Sequence, residues 1–177
     1  MPTINGRACV INGTPVDKVF SNGKQVYGRN LVLNSNDMSK FGVWQADGSY
    51  KLSEDNKEIT VTSSHGGITG IGGKAFSSAL PNNGDVVVIS ADVKGTSHLQ
   101  FNYNNGNYFV SSGTNIPVTT EYKRYYTTFD WKPVNVDKAY FVIFTMGSAD
   151  QYLTIKNVKI EIGNKATPWT PAPEDVM

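Results

Sequence analysis

The fold is decided by residues 152–175, YLTIKNVKIEIGNKATPWTPAPED. Leu153, Ile155, Val158, Ile160 and Ile162 place apolar side chains through a β-rich run, which predicts a strand. Over Val158, Ile160 and Ile162 the alternation is strict, so Lys159 and Glu161 point to the other, polar face. The phase changes at Asn157, because Leu153 and Ile155 are odd-numbered and the later set is even. One extra residue at that point is what a β-bulge supplies. Gly163 ends the strand, and Pro168, Pro171 and Pro173 then forbid both helix interior and central strand. A tail of this kind runs extended across a surface, with Trp169 as its one large anchor.

Upstream, the same period of two recurs. Leu99, Phe101 and Tyr103 oppose His98, Gln100 and Asn102; Tyr122, Arg124 and Tyr126 oppose Lys123, Tyr125 and Thr127; Tyr140, Val142 and Phe144 oppose Phe141, Ile143 and Thr145. Residues 85–94, DVVVISADVK, are apolar on both faces and read as a central strand. Residues 29–35 read as a first sandwich strand with Leu31 and Leu33 facing in, and residues 50–52 and 58–62 as further strands. Residues 63–79 hold Gly67, Gly70, Gly72 and Gly73 and read as a flexible loop that approaches a ligand or a neighbour. They are no phosphate loop, since Lys74 is followed by Ala75 and no helix pattern follows. No segment has the period of a standard helix, and strands between turn signals predict an all-β sandwich. Residues 1–28 stand apart: Asn22-Gly23 between two β-rich runs predicts a hairpin, and Asn5-Gly6 and Asn12-Gly13 are further turns. A lone hairpin is marginal in water, so it docks on the main domain, on copies of itself or on a partner. The expected organisation is a hairpin module over 1–28 and a sandwich domain over 29–177.

With 177 residues the chain can bury a core without staples. Its 16 basic and 15 acidic residues leave a net charge of +1 and no basic run longer than two, which argues against nucleic acid. Cys9 is the sole cysteine, so there is no internal disulfide. No apolar run is long enough for a membrane span and no signal pattern opens the chain, so it is expected in the cytoplasm where it is made.

Two motifs carry a resemblance. The closing strand with its Glu, then Gly, then the tail ATPWTPAPED at 166–175 resembles the end of jelly-roll (galactose-binding-like) modules common in tail and baseplate proteins of phages of Gram-positive bacteria. RNLVLNS at 29–35 is similar to the opening of the same modules. The resemblance implies a carbohydrate-binding jelly roll in a virion, released by lysis rather than secretion. It implies an N-terminal piece for attachment or oligomerisation, other phage structural proteins as partners, and glycan sites on the concave sheet face or in the loops at one end. It implies a structural Ca²⁺ between an early loop and the closing strand, where Asn34, Asp37 and Glu161 stand in comparable places. It also implies that an early Trp, here Trp44, packs in the core.

The residues themselves make a weak case for an enzyme. His65 and His98 lack metal spacing, no GxSxG exists, and Cys9 has no histidine nearby in sequence. They make a better case for binding sugar, which needs an aromatic platform beside groups that both donate and accept hydrogen bonds. His98, Gln100 and Asn102 form one such polar row, with Arg124 placed on a parallel row. Tyr103, Tyr108, Tyr140 and Trp44 are the candidate platforms, the last against its core reading. The expected function is non-catalytic adhesion to host cell-wall polysaccharide from a tail or baseplate, by a homo-oligomer that gains avidity. The rivals are a virion decoration protein that binds no glycan and, more remotely, a glycan-cleaving enzyme needing two facing carboxylates.

Overall fold

A computed structural model describes residues 9–45, 48–64, 69–73, 80–145 and 147–176. His65 and Met146 lie outside the described residues.

Two antiparallel sheets pack face to face. The first runs in the order β13 (Lys123–Asp130), β9 (Val86–Gly95), β15 (Tyr152–Ile162), β7 (Ile59–Ser63), β6 (Gly48–Leu52). The second runs β11 (Phe109–Ser111), β10 (His98–Asn104), β14 (Tyr140–Thr145), β8 (Thr69–Gly73), β5 (Gly42–Gln45), with β12 (Ile116–Pro117) also on β10. The alternating apolar residues meet between them: Ile59, Val61, Ile89, Val93, Phe101, Phe141, Ile143, Leu153 and Ile155 belong to one buried core. The architecture is a jelly-roll β-sandwich, and no α-helix occurs among the described residues.

The bulge in β15 lies where the phase of the sequence changes. Pairing with β9 shifts register between Lys156 and Lys159, and Asn157 takes φ 53. The Asn157 amide donates to Asp92 (2.7 Å), fixing the extra residue to the neighbouring strand.

Two expectations are corrected. Residues 29–35 are no regular strand. β7 leaves β15 at Ile155, and Leu31 takes up the vacated edge by donating its N–H to the Ile160 carbonyl (2.8 Å). Asn30 then interrupts any ladder. Its side-chain oxygen accepts from Val32 N–H (3.0 Å) and its amide donates to Ser35 Oγ (2.8 Å) and the Thr170 carbonyl (2.9 Å). Leu31 and Val32 are both buried as a result. The glycine-rich segment, secondly, is in part a strand: Thr69–Gly73 pairs with β14 on one side and β5 on the other. Glycine permits the close approach, because a Cβ on Gly70 would fall on the Ile143 carbonyl and the Phe144 side chain. Residues 65–68 and 74–79 of that segment lie outside the described residues.

Ahead of the sandwich, β1 (Val10–Ile11) pairs with β2 (Thr14–Pro15) and β3 (Lys18–Ser21) with β4 (Lys24–Gly28). Asn12-Gly13 and Asn22-Gly23 close both hairpins with positive φ at each residue, as a type I′ turn requires. The second hairpin is docked: Tyr27 is buried, and Gly28 N–H donates to Thr167 Oγ1 (3.2 Å) in the tail.

The tail lies over the far half of the first sheet, on the face away from the core. There Lys159 and Glu161 are fully buried, their charged atoms 3.6 Å apart. Thr167 joins them: its hydroxyl donates to Glu161 (2.6 Å) and accepts from Lys159 Nζ (2.8 Å), and its N–H donates to Glu161 (2.7 Å). Lys159 also donates to the Pro168 carbonyl (3.0 Å), and Trp169 Nε1 donates to Ser35 Oγ (3.2 Å).

Candidate functional site

The polar row expected on β10 faces outward from the second sheet, but most of it is not free. His98 is exposed at the strand's start and Gln100 is half-buried, whereas Asn102 is buried. Asn102 accepts from Ser112 N–H (3.2 Å) and donates to Gln100 (3.2 Å), which donates to Asn115 (3.3 Å). The row is therefore tied to the loop between β11 and β12. Across the sheet the register places Phe144 beside Gln100 and Val142 beside Asn102, and both are buried as well. The centre of this face is no wet platform for a sugar. Trp44 falls on the Gln100 row by backbone register, opposite Gly70; its side chain lies outside the described residues.

Two further expectations are corrected here. Tyr103 is a core residue, with its ring 5.3 Å from Phe129 and 5.3 Å from Trp131. Its hydroxyl donates to the Asp130 carbonyl (3.0 Å) and accepts from Lys132 N–H (3.3 Å). Arg124 lies on the other sheet altogether, bound to Asp92 (3.0 Å), Ser90 Oγ (2.8 Å) and the Asn157 carbonyl (3.2 Å). Strand alternation says which residues share a strand face, but not which sheet a strand joins.

Two exposed aromatics stand together at one end of the sandwich, while Phe20, Tyr50 and Tyr126 are exposed on β3, β6 and β13. Tyr108 is 58% exposed and Phe109 44%. Phe109 packs edge-on against the half-buried Tyr140, centroids 6.0 Å apart. They are held by the turn after β10, where Asn105 Oδ1 accepts from Asn107 N–H and Tyr108 N–H, both at 3.0 Å. Beside Tyr108, a groove of about 510 Å³ opens between the edge strands β11 and β13. Val110, Phe129 and the otherwise buried Tyr103 line its apolar side, and Thr128, Asp130 and Lys132 its polar one. Asp130 and Lys132 are mostly exposed and pair at 3.0 Å. The arrangement offers one open aromatic face, an apolar recess and a fringe of donors and acceptors. Sequence reasoning named Tyr103 and Tyr108 but not Thr128, Asp130 or Lys132. They lie in and just after an alternating strand, yet nothing local shows that this strand's end faces β11.

The expected Ca²⁺ ligands do not fit one site. The positive charge that Glu161 meets is the Lys159 ammonium, and Thr167 takes both its oxygens. Asp37 caps a short 3₁₀ turn, accepting from Ser39 N–H (3.0 Å) and Oγ (2.6 Å). The Ser39 hydroxyl holds its carboxyl below the usual range. Asn34 is exposed and donates its N–H to the Asp175 carboxylate (2.9 Å). Among the described residues no three His, Cys, Asp or Glu converge on a metal position.

No family model and no curated protein matches the chain. Solved structures do share its fold. The enzymatically active domain of tailspike protein 4 of bacteriophage CBA120 superposes with TM-score 0.56 at 15% identity, over 76% of this chain. The chain spans only 21% of that tailspike chain. A family 16 carbohydrate-binding module gives 0.51 at 16% identity, covering 74% of this chain and 99% of its own. A family 29 carbohydrate-binding module gives 0.52 at 12%, covering 84% and 95%. The β-sandwich of these modules is the fold of this chain.

Proposed function

We propose that this chain is a non-catalytic glycan-binding module of a phage tail or baseplate, adhering to host cell-wall polysaccharide. The observation that carries the reading is the end groove, where an open Tyr108 ring stands beside an apolar recess and a polar fringe. A sugar ring stacks its apolar face on the tyrosine while its hydroxyls reach Thr128, Asp130 and Lys132. The carbohydrate-binding modules among the structural neighbours support the class of ligand, and the tailspike supports the setting. Asp130 is the one acid among the lining residues, whereas glycoside hydrolysis takes two facing carboxyls.

A single shallow groove binds weakly, so adhesion draws on many copies. The N-terminal hairpins supply an attachment surface, because Ile11 and Phe20 are largely exposed there. A glycan array followed by pulldown on host cell walls tests the reading. Tyr108→Ala is expected to weaken binding roughly tenfold, the equivalent of about 1.4 kcal/mol, and Phe20→Ala to leave single-site affinity unchanged. A folded wild-type protein that retains no saccharide and no cell wall would instead be a decoration protein.

A further inference from the structure

The face of the first sheet turned away from the core is closed on one half by the tail; on the other half Lys51 is exposed, Thr60 and Lys94 are half-buried and Thr154 is buried between them. This second half carries no aliphatic side chain on its central strands. Register aligns Lys94 of β9, Thr154 of β15, Thr60 of β7 and Lys51 of β6 in one row across four strands. The two threonine hydroxyls bond each other (3.0 Å). Lys51 and Lys94 stand three strand spacings apart, about 14 Å.

At the Lys94 end stands Tyr122. Two ammonium groups approach its ring, Lys94 at 4.6 Å from the centroid and Lys156 at 3.8 Å. Lys156 is matched by Glu58 (2.9 Å), and Arg124 in the adjoining row by Asp92 (3.0 Å). Lys94 and Lys51 form no ion pair among the described residues. Glu58, matched to Lys156, also faces Lys94, but the two carboxylates Glu58 and Asp92 stand against four cations, Lys51, Lys94, Lys156 and Arg124, so positive charge is left over along the row.

We propose that this half-face is a second site, for the acidic groups of a polyanionic glycan or polyol-phosphate chain lying along the Lys94–Thr154–Thr60–Lys51 row. Lys94 and Lys51 meet successive anionic groups, Thr60 accepts and donates to hydroxyls between them, and Tyr122 walls one end. A single small anion would reach only one of the two lysines. The site rests on the reading of the chain as a glycan binder, and makes the ligand an acidic polymer rather than a neutral one.

The probe is dextran sulfate, with uncharged dextran as its twin, in affinity electrophoresis of the full chain. Dextran sulfate is expected to retard the protein, and the double variant K51Q/K94Q to raise its apparent Kd about fivefold or more. K24Q/K138Q removes the same charge elsewhere and is expected to change nothing; an equal loss there would show a net-charge effect and overturn the site, as would no retardation at all. Alginate and a glycerol-phosphate teichoic acid then compete in separate arms. Displacement by either tells carboxylate from phosphate, and displacement by neither overturns the proposal. Y108A separates this site from the groove, since it is expected to leave retardation by dextran sulfate intact. Loss of the charged arm with array binding retained sinks the second site alone.

Discussion

Lys159 and Glu161 show how far a single residue can be read from its neighbours. Alternation along β15 places both side chains on the face away from the core, and they are there. It also makes them surface groups, and they are not: both are fully buried, because a segment beginning only two residues later returns to cover them. Removing one member of such a pair leaves the other charge buried and unmatched. Lys159→Met is therefore expected to cost about 3–5 kcal/mol in urea denaturation, and the Lys159→Met/Glu161→Leu double variant clearly less. The pair also fixes a pH response. Burial pulls the Lys159 ammonium down from 10.5 to about 8, against the opposing pull of Glu161. Between those values the unfolded chain holds a proton that the folded one has released, so this group's contribution to stability rises with pH across that window. Burial pushes the Tyr27 hydroxyl above its ordinary 10.0, which acts in the opposite sense once the unfolded chain ionises above that pH. Urea midpoints measured from pH 7 to 10 should climb from about pH 8 in the wild type and stay flat in the double variant. A flat wild-type profile would show that Lys159 keeps its ordinary affinity for protons.

Elements were legible wherever side chains alternate, and opaque where they do not. The bulge announces itself through the phase change at Asn157, and register, dihedral and hydrogen bond agree with it. β8 is silent in sequence because glycine carries no alternation, and its role emerges only from how closely β14 lies against it. Both features yield mutational tests by thermal or chemical unfolding. Asn157→Val forces a β-branched residue to φ 53 and strips the amide from Asp92, for an expected loss of about 2–3 kcal/mol. Asn157→Gly keeps the backbone at ease and loses only the bond, so it should fall between. If the valine variant is as stable as the glycine one, strain at the bulge is not what the asparagine relieves. Gly70→Ala is expected to cost about 1–3 kcal/mol, since the added carbon meets backbone of β14 that cannot swing aside.

At the scale of the molecule, the sandwich was readable and its surfaces were not. Period-two strands and turn signals are local, whereas which edges face one another, and what covers each sheet, depend on contacts between distant segments. That is why the polar row on β10 proves half-consumed, while the end groove joins residues about twenty apart in sequence. The tail makes the same point in energetic form. It is a proline-rich strap with one short 3₁₀ turn at its end, Pro173–Asp175, yet it closes polar groups that the sandwich cannot satisfy alone. Thr167 and Pro168 serve Lys159 and Glu161, the Thr170 carbonyl serves Asn30, Glu174 pairs with Arg29, and Asp175 takes the Asn34 N–H. A chain ending at Gly163 would strip the Lys159–Glu161 pair of its Thr167 and Pro168 partners and the Asn30 amide of the Thr170 carbonyl. Each unmatched buried group of this kind costs about 1–3 kcal/mol, and charged ones more. Against a net stability of about 5–15 kcal/mol for a domain, that loss is enough to abolish a cooperative transition. The truncated chain is expected to show no sharp urea transition and to bind a dye for exposed apolar surface. A truncated chain with the wild-type midpoint would mean that the strap only decorates a sandwich already complete at Ile162.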